Sequence, residues 1–331
     1  MNVEQRIELM VKLGRYMAGK ETAWEEVKNK AFLENNWFIP EFIDHSVKNI
    51  ASEFLQRPAL EKLARLHPIK KEHSPKKVGL VMAGNIPLVG FHDVLCIFIS
   101  GHFAIMKASS KDETLITHLV DKLVEWNPEA AEYFVIQPML KNCDAYIATG
   151  SNNTSTYFDY YFRNYPHIIR RNRTSVAIIN GNETQEELEK LADDVYLYFG
   201  LGCRNVTKIF VPSNYDFIPM LNAFKKYDFL KDHHKYNNNY DYNLAILLLN
   251  HKYYMSNGSI LLVEEKQVFS PISQLNYEYY DEVEKVHQAL KDKDVIQCWV
   301  GDGGLKPGSS QVPGICDFAD GVDTMEFLHE L

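Results

Sequence analysis

The stretch YFGLGCRNVTKIFVP, residues 198 to 212, sets Cys203 beside Gly200, Gly202 and Arg204 on a small-residue turn before an apolar strand. A thiol at such a bend can act as a nucleophile, with the glycines letting a substrate approach the backbone. Free cysteine is also among the most buried residue types and behaves as a small hydrophobe; by itself the turn favours that plainer reading. Other chemistry-bearing residues stand at comparable turns. MAGNIPLVGFHD offers Asn85, an amide donor, where a helix is expected from Pro87 to about Ser100. IMKASSKD carries Lys107 at a strand end, followed by Ser110 and Lys111. ATGSNN places Thr149, Gly150 and Ser151 before a helix N-terminus, where free amides and the helix dipole suit a pyrophosphate. Each has an ordinary alternative, an N-cap or a solvated lysine.

The elements that must position these residues are legible as rhythm. Residues 1 to about 66 read as helices, with Ile7, Met10, Val11 and Leu13 at helical spacing. From Val78 onward strands and helices alternate through KKVGLVMA, GHFAIMKAS, AEYFVIQPM, CDAYIATG and RTSVAIING, the pattern of an open parallel sheet with helices on both faces. A second rhythm starts near Glu183: a helix, the Cys203 turn, the strand VTKIFVP and a helix from about 216 to 228. KDHHKYNNNYDYN reads as a polar surface loop, LAILLLN and GSILLVEE as strands, YDEVEKVHQAL as a helix and VIQCWVG as a strand, with a closing strand and short helix after Asp317. The expected domains are 1–182 with the N-terminal helices and a dinucleotide-binding sheet, 183–315 around the cysteine, and a closing segment 316–331.

Composition bounds the partners. The 331 residues carry a formal charge of −9, which argues against nucleic acid or an anionic membrane as main partner. Five scattered cysteines without a CxxC pair fit reduced thiols in a cytoplasmic setting, and neighbouring His233 and His234 would project apart, so no metal site is expected. Cys96, Cys143, Cys298 and Cys316 read as core. The N-terminus lacks an apolar signal core, and no segment reaches the roughly 20 apolar residues of a membrane span.

The succession of an amide turn, a lysine strand end, a TGS turn and a GxxC turn resembles the aldehyde dehydrogenase superfamily. GNIPLVGFHDVLCIFISGHFAIMKASSKD and RRNRTSVAIING resemble its acyl-CoA reductase branch, the LuxC-like fatty acyl reductases of bacterial bioluminescence. The resemblance covers roughly residues 75 to 331 and implies an aldehyde-dehydrogenase-like α/β fold: a Rossmann-type parallel-sheet cofactor domain plus a second α/β catalytic domain. It implies that Cys203 is the thiolate attacking an acyl carbonyl, with Arg204 helping to lower its pKa. Asn85 would complete the oxyanion hole with the cysteine's own N–H. Lys107, Ser110, Lys111, Thr149, Gly150 and Ser151 would hold the cofactor. Where the superfamily has a ribose-binding glutamate, QVFSP places Gln267; where it has a water-activating glutamate, RRNRTSV has no carboxylate. The first departure leaves a hydroxyl contact open to an amide; the second suits a thioester that is reduced rather than hydrolysed. With Ser110 and Lys111 where NAD-preferring relatives carry an acid, the cofactor expected is NADPH. The donor is an acyl-CoA or an acylated partner protein. A homo-oligomer remains open, since the chain is short for an aldehyde dehydrogenase and an oligomerisation arm is reduced or missing. Rival readings are an aldehyde dehydrogenase oxidising aldehydes, a non-reducing thioesterase or acyltransferase using the same cysteine, and an inactive scaffold. His92 is expected as a packing residue rather than an acid or base. Arg170, Arg171 and Arg173 are either a coenzyme A phosphate patch or a solvated strand edge.

Overall fold

Near-continuous apolar runs such as Val78–Leu80, Val176–Ile178 and Ile209–Val211 are buried from end to end, as parallel sheets covered on both faces require. The computed structural model describes residues 1–68, 74–150, 152–291 and 293–331, and these divide into two compact units: residues 1–172 with 313–331, and residues 173–312.

The first unit opens with helices Val3–Met17, Thr22–Glu34, Pro40–Asn49 and Arg57–Leu66, the first started by an Asn2–Gln5 capping box. They pack Leu13, Trp24 and Leu60, and the connection before the third helix packs Phe38, all fully buried, into the same core as the sheet. That sheet comprises β1 (Lys77–Val81), β2 (Phe103–Lys107), β3 (Phe134–Ile136), β4 (Ala145–Thr149) and β5 (His167–Arg170) in the order β3-β2-β1-β4-β5, all parallel. The order reverses between β1 and β4, and an open sheet of this kind binds its ligand outside the carboxyl ends of the strands at that switch point.

The second unit contains β6 (Thr174–Ile178), β7 (Val206–Pro212), β8 (Met255–Ser256), β9 (Leu261–Glu264), β10 (Gln274–Tyr280) and β11 (Ile296–Gly301). Their order is β11-β6-β7-β10-β9-β8, parallel except for the short edge strand β8.

Several expectations are corrected. The dividing line falls at 172/173, not 182/183, because β6 pairs with β7 and β11 in the second sheet. The closing segment begins at Pro313 and packs Ile315, Met325 and Leu328 into the first unit's core, as a 3₁₀ turn (Ala319–Gly321) and a helix (Thr324–His329) without a strand. The helix expected from Pro87 starts at Phe91, since Leu88 has φ 56° and cannot continue a right-handed helix. KDHHKYNNNYDYN and LAILLLN, expected as a loop and a strand, form one helix, His234–Leu249. The ring of His233 caps it by accepting from Tyr236 N, and Tyr236, Asn243 and Leu247 share its buried face. β5 and β10 carry no expectation from the sequence. Cys96 and Cys143 are buried as expected, whereas Cys298 and Cys316 are only half-buried.

Candidate functional site

In the first unit, β2, β1 and β4 end side by side, which brings the loops following them to one edge of the sheet. Asn85 is exposed on the loop after β1. That loop is tightly seated: a side-chain carbon at Gly84 would lie 2.4 Å from Ser109 Oγ, Ser46 Oγ donates to Pro87 O at 2.7 Å, and Asp112 accepts from Leu88 N. Lys107, Ser110 and Lys111 are exposed at the neighbouring turn. Asp112 is turned inward and buried, its pKa pushed well up by loss of solvent against a partial opposing effect of the Leu88 N–H. Lys111 therefore does not pair with its neighbour Asp112. Thr149 and Gly150 are half-buried at the end of β4, just before the helix Asn152–Phe162. A carbon added at Gly150 would lie 3.0 Å from Phe158, so the backbone runs close under that helix. Ser151 lies outside the described residues. A lysine pair, hydroxyls and a glycine thus stand at the switch point where an open sheet of this kind takes its ligand.

The second unit holds Cys203, half-buried, between a 3₁₀ turn (Leu197–Gly200) and the amino end of β7. Tyr198, Phe199 and Gly200 all have left-handed backbone, at φ 55°, 57° and 74°. Two such aromatic residues in succession are strained and persist only where their surroundings fix them. Here both rings are buried, with Phe199 against His233 and Tyr236. Asn205, fully buried, ties the turn together. Its Oδ1 accepts from Gly202 N at 2.8 Å, and its Nδ2 donates to Leu197 O at 2.8 Å and lies within 3.3 Å of Asp194 O and Val195 O. Ser175 Oγ donates to Cys203 O at 3.1 Å and stands 3.1 Å from Cys298 Sγ. Burial raises the Cys298 thiol, while Ser175 and Arg204 pull it down. Arg204 thus acts on this thiol as well as standing next to Cys203 in the chain. Asp194 is fully buried, its pKa lifted to about 6 by desolvation against hydrogen bonds from Ser310 and Gly308 N.

Gln267 is exposed on the loop between β9 and β10. Every carbonyl from 266 to 269 accepts from a side chain of β7 or β10. Lys208 Nζ donates to Lys266 O at 2.8 Å, Asn276 Nδ2 to Gln267 O at 3.0 Å and Phe269 O at 3.1 Å, and Thr207 Oγ1 to Val268 O at 2.6 Å. Lys208 is itself buried and paired with Glu278.

His92 packs, as expected: its Nε2 donates to Ile315 O at 2.8 Å and its ring lies between Phe54 and Phe318. Arg170 is neither a phosphate patch nor a solvated edge. It is buried and bonded to Asp93 at 2.5 Å, Thr324 Oγ1 at 2.8 Å and Ala319 O at 2.6 Å, anchoring the closing segment. Arg171 is exposed and paired with Asp159. Among the described residues no three His, Cys, Asp or Glu side chains are arranged to hold a metal ion, and no helix is long and apolar enough to cross a membrane. Sequence reading missed Asn205, Asp112, Ser175 and the clamps of the 266–269 loop. An asparagine two residues after a turn cysteine was the one available signal, since asparagine side chains bind nearby backbone in turns.

No curated protein matches the chain. Among solved structures, it is similar to an aldehyde dehydrogenase of Physcomitrella patens in complex with the reaction product succinate, with TM-score 0.71, 12% identity, and 100% of this chain and 84% of that one covered. It is similar to an NAD-dependent aldehyde dehydrogenase of Sinorhizobium meliloti (0.68, 11%, covering 94% and 72%) and to the NAD⁺ complex of a Bacillus cereus aldehyde dehydrogenase (0.62, 16%, covering 89% and 70%). At these identities the likeness establishes the fold: a Rossmann-type parallel sheet with a second α/β unit. The family profile for acyl-CoA reductase (LuxC) matches residues 37–219, more than half of the chain. On an aldehyde dehydrogenase fold, and with that match spanning both the Asn85 loop and the Cys203 turn, the chain belongs to the LuxC acyl-CoA reductase family of oxidoreductases.

Proposed function

We propose that this chain reduces an acyl thioester, a fatty acyl-CoA or an acylated protein, to the aldehyde with NADPH by way of an acyl group carried on Cys203. The observation that carries the reading is the Cys203 turn: a half-buried thiol on strained backbone, pinned by a buried asparagine, in a member of an acyl-CoA reductase family.

In the first step Cys203 sulfur attacks the acyl carbonyl carbon, the C–S bond to the donor breaks, and the donor leaves as its thiol after taking up a proton. The family resemblance assigns the developing oxyanion two donors, the Cys203 N–H and the Asn85 amide; one such donor is worth about 10²–10³ in rate. Bound NADPH supplies a hydride. The resulting tetrahedral oxyanion collapses to aldehyde, returning the electron pair to Cys203 sulfur. Lys107, Ser110 and Lys111 hold the adenosine end, Thr149, Gly150 and Ser151 the pyrophosphate, and Gln267 the nicotinamide ribose. NAD⁺ complexes among the structural neighbours support a nicotinamide cofactor, and the exposed Lys111 beside the inward-turned Asp112 supports a 2′-phosphate. RRNRTSV has no carboxylate where the superfamily carries its water-activating glutamate, which favours reduction over hydrolysis.

The test omits NADPH. Protein mixed with a long-chain acyl-CoA should accumulate one acyl group, mapped by mass spectrometry to the peptide holding Cys203, and adding NADPH should release it as aldehyde. Cys203→Ala should never acquire the label. Release as free acid without cofactor would make the protein a thioesterase and overturn the reading.

A further inference from the structure

Inside the second unit, four oxygens run in file from the Cys203 turn to the Gln267 loop. Thr174 Oγ1 lies 3.3 Å from Asn205 O and 2.5 Å from Thr207 Oγ1, and Thr207 Oγ1 lies 2.6 Å from Val268 O. Both threonines are buried. The end members are carbonyls and donate nothing, so two hydroxyl protons serve three gaps. The central gap is short and must hold a proton, because two bare oxygens at 2.5 Å would repel. Two arrangements satisfy it. In one, Thr174 donates to Thr207 and Thr207 to Val268 O. In the other, Thr207 donates to Thr174 and Thr174 to Asn205 O. The observed distances correspond to the first, and Asn205 O is then kept satisfied by Ser175 N at 3.0 Å.

We propose that the Thr174–Thr207 hydroxyl pair is a positioning device that couples the loop carrying Gln267 to the turn carrying Cys203. When the 266–269 loop sits against β7, Thr207 holds Val268 O and the Asn205 carbonyl is gripped less. When the loop lifts, the proton file reverses and Thr174 grips Asn205 O, the residue that fixes Gly202 and so the cysteine backbone. An event at Gln267 is thereby passed to Cys203 through hydroxyl rotation alone, with no shift of the strands. Thr174 and Thr207 do not touch substrate in this scheme; they act through Asn205 and Val268.

The inference rests on reading Cys203 and Gln267 as parts of one reactive site, but its test uses neither acyl donor nor nicotinamide. Cys203 is alkylated by iodoacetamide in the full chain, and its rate is followed on the Cys203 peptide for wild type, Thr207→Val, Thr174→Val, the double variant and Thr207→Ser. Thr207→Val leaves the Thr174 hydroxyl only Asn205 O to donate to, the gripped arrangement, and should slow Cys203 alkylation by about threefold or more, whereas Thr174→Val cannot grip and should alkylate at or above the wild-type rate. The double variant should match Thr174→Val and not Thr207→Val, because the grip needs the Thr174 hydroxyl, and Thr207→Ser should return to the wild-type rate. Additive effects, or an unchanged Cys203 rate with faster amide exchange confined to 266–269, would overturn the proposal. If the valine variants do not fold, Thr207→Ala and Thr174→Ala carry the same comparison; failure of all of them to fold overturns it too, because the hydroxyls then serve the fold itself. A protein that couples but never acylates refutes only the proposed function, and one that acylates without coupling refutes only this.

Discussion

Asp112 Oδ2 accepts from the backbone N–H of Leu88 at 2.8 Å, while Asp112 Oδ1 is buried and meets no donor among the described residues. One carboxyl group thus holds the left-handed Leu88, and through it the loop of Asn85, without being fully solvated or fully paired. Its raised pKa sets a sign. Between the ordinary value of 3.8 and the folded value, the folded chain holds the proton more tightly than the unfolded one, so this group's contribution to stability falls as pH rises through that interval. Asp112→Asn keeps the acceptor for Leu88 and removes the charge. It should melt higher than wild type at pH 8, with the gap closing toward pH 4. Asp112→Ala removes the acceptor and should cost about 1–3 kcal/mol near pH 4, the cost shrinking as pH rises and the wild-type carboxyl becomes charged. Thermal melts across the pH range decide both, and a pH-independent gap for Asp112→Asn would show that the buried charge has no effect.

Asn85 is exposed on a loop held by Ser46 through Pro87 O and by Asp112 through Leu88 N. Asn85→Ala should leave the melting temperature near wild type and lower turnover by about 10²–10³. Single-turnover acylation measured with the acyl-CoA should fall in step. A loss of less than severalfold would reduce Asn85 to a loop residue.

Cofactor choice turns on the exposed Ser110–Lys111 pair. NADPH should outperform NADH, and Ser110→Glu should move the ratio of their kcat/KM by about tenfold or more toward NADH, since a carboxylate set against a phosphate is a costly like-charge contact. Equal use of both cofactors by the unaltered protein would remove these two residues from the cofactor site.

Asn205→Ala leaves Gly202 N and the carbonyls at the end of the helix Gln185–Tyr196 without their shared partner. Stability should drop by about 1–3 kcal/mol, and Cys203 should alkylate faster as its turn loosens. Urea unfolding and the Cys203 alkylation rate measure the two effects. A slower alkylation would mean that Asn205 activates the thiol as well as placing it.

What the sequence disclosed followed from local pattern. Val78, Leu80, Val176 and Ile178 announce buried parallel strands because burial on both faces leaves no polar alternation to confuse. Cys203, Asn85 and Lys107 stood out through their order along the chain. The helix His234–Leu249 misled because an apolar run such as LAILLL fits a buried strand as well as a helix, and this one leaves Leu248 and Leu249 exposed. β10 was invisible because Asn276 and Tyr277 are buried there for reasons of clamping and ring packing, not hydrophobicity. The links that support the site were beyond any local signal: Thr174 meets Thr207 across 33 positions and Thr207 meets Val268 across 61.

The return of residues 313–331 to the first unit bears on how the chain is made. Arg170 waits for Thr324 and the Ala319 carbonyl, His92 for Ile315 O, and His102 for Leu328 O at 2.8 Å. All of these partners leave the ribosome after the whole of 173–312, so the unit that begins first is finished last. Until then Arg170 and Asp93 have only each other, and the core lacks Met325 and Leu328. A nascent chain stalled before Pro313 would therefore hold a second unit with all its strands and a first unit still open to chaperones and proteases.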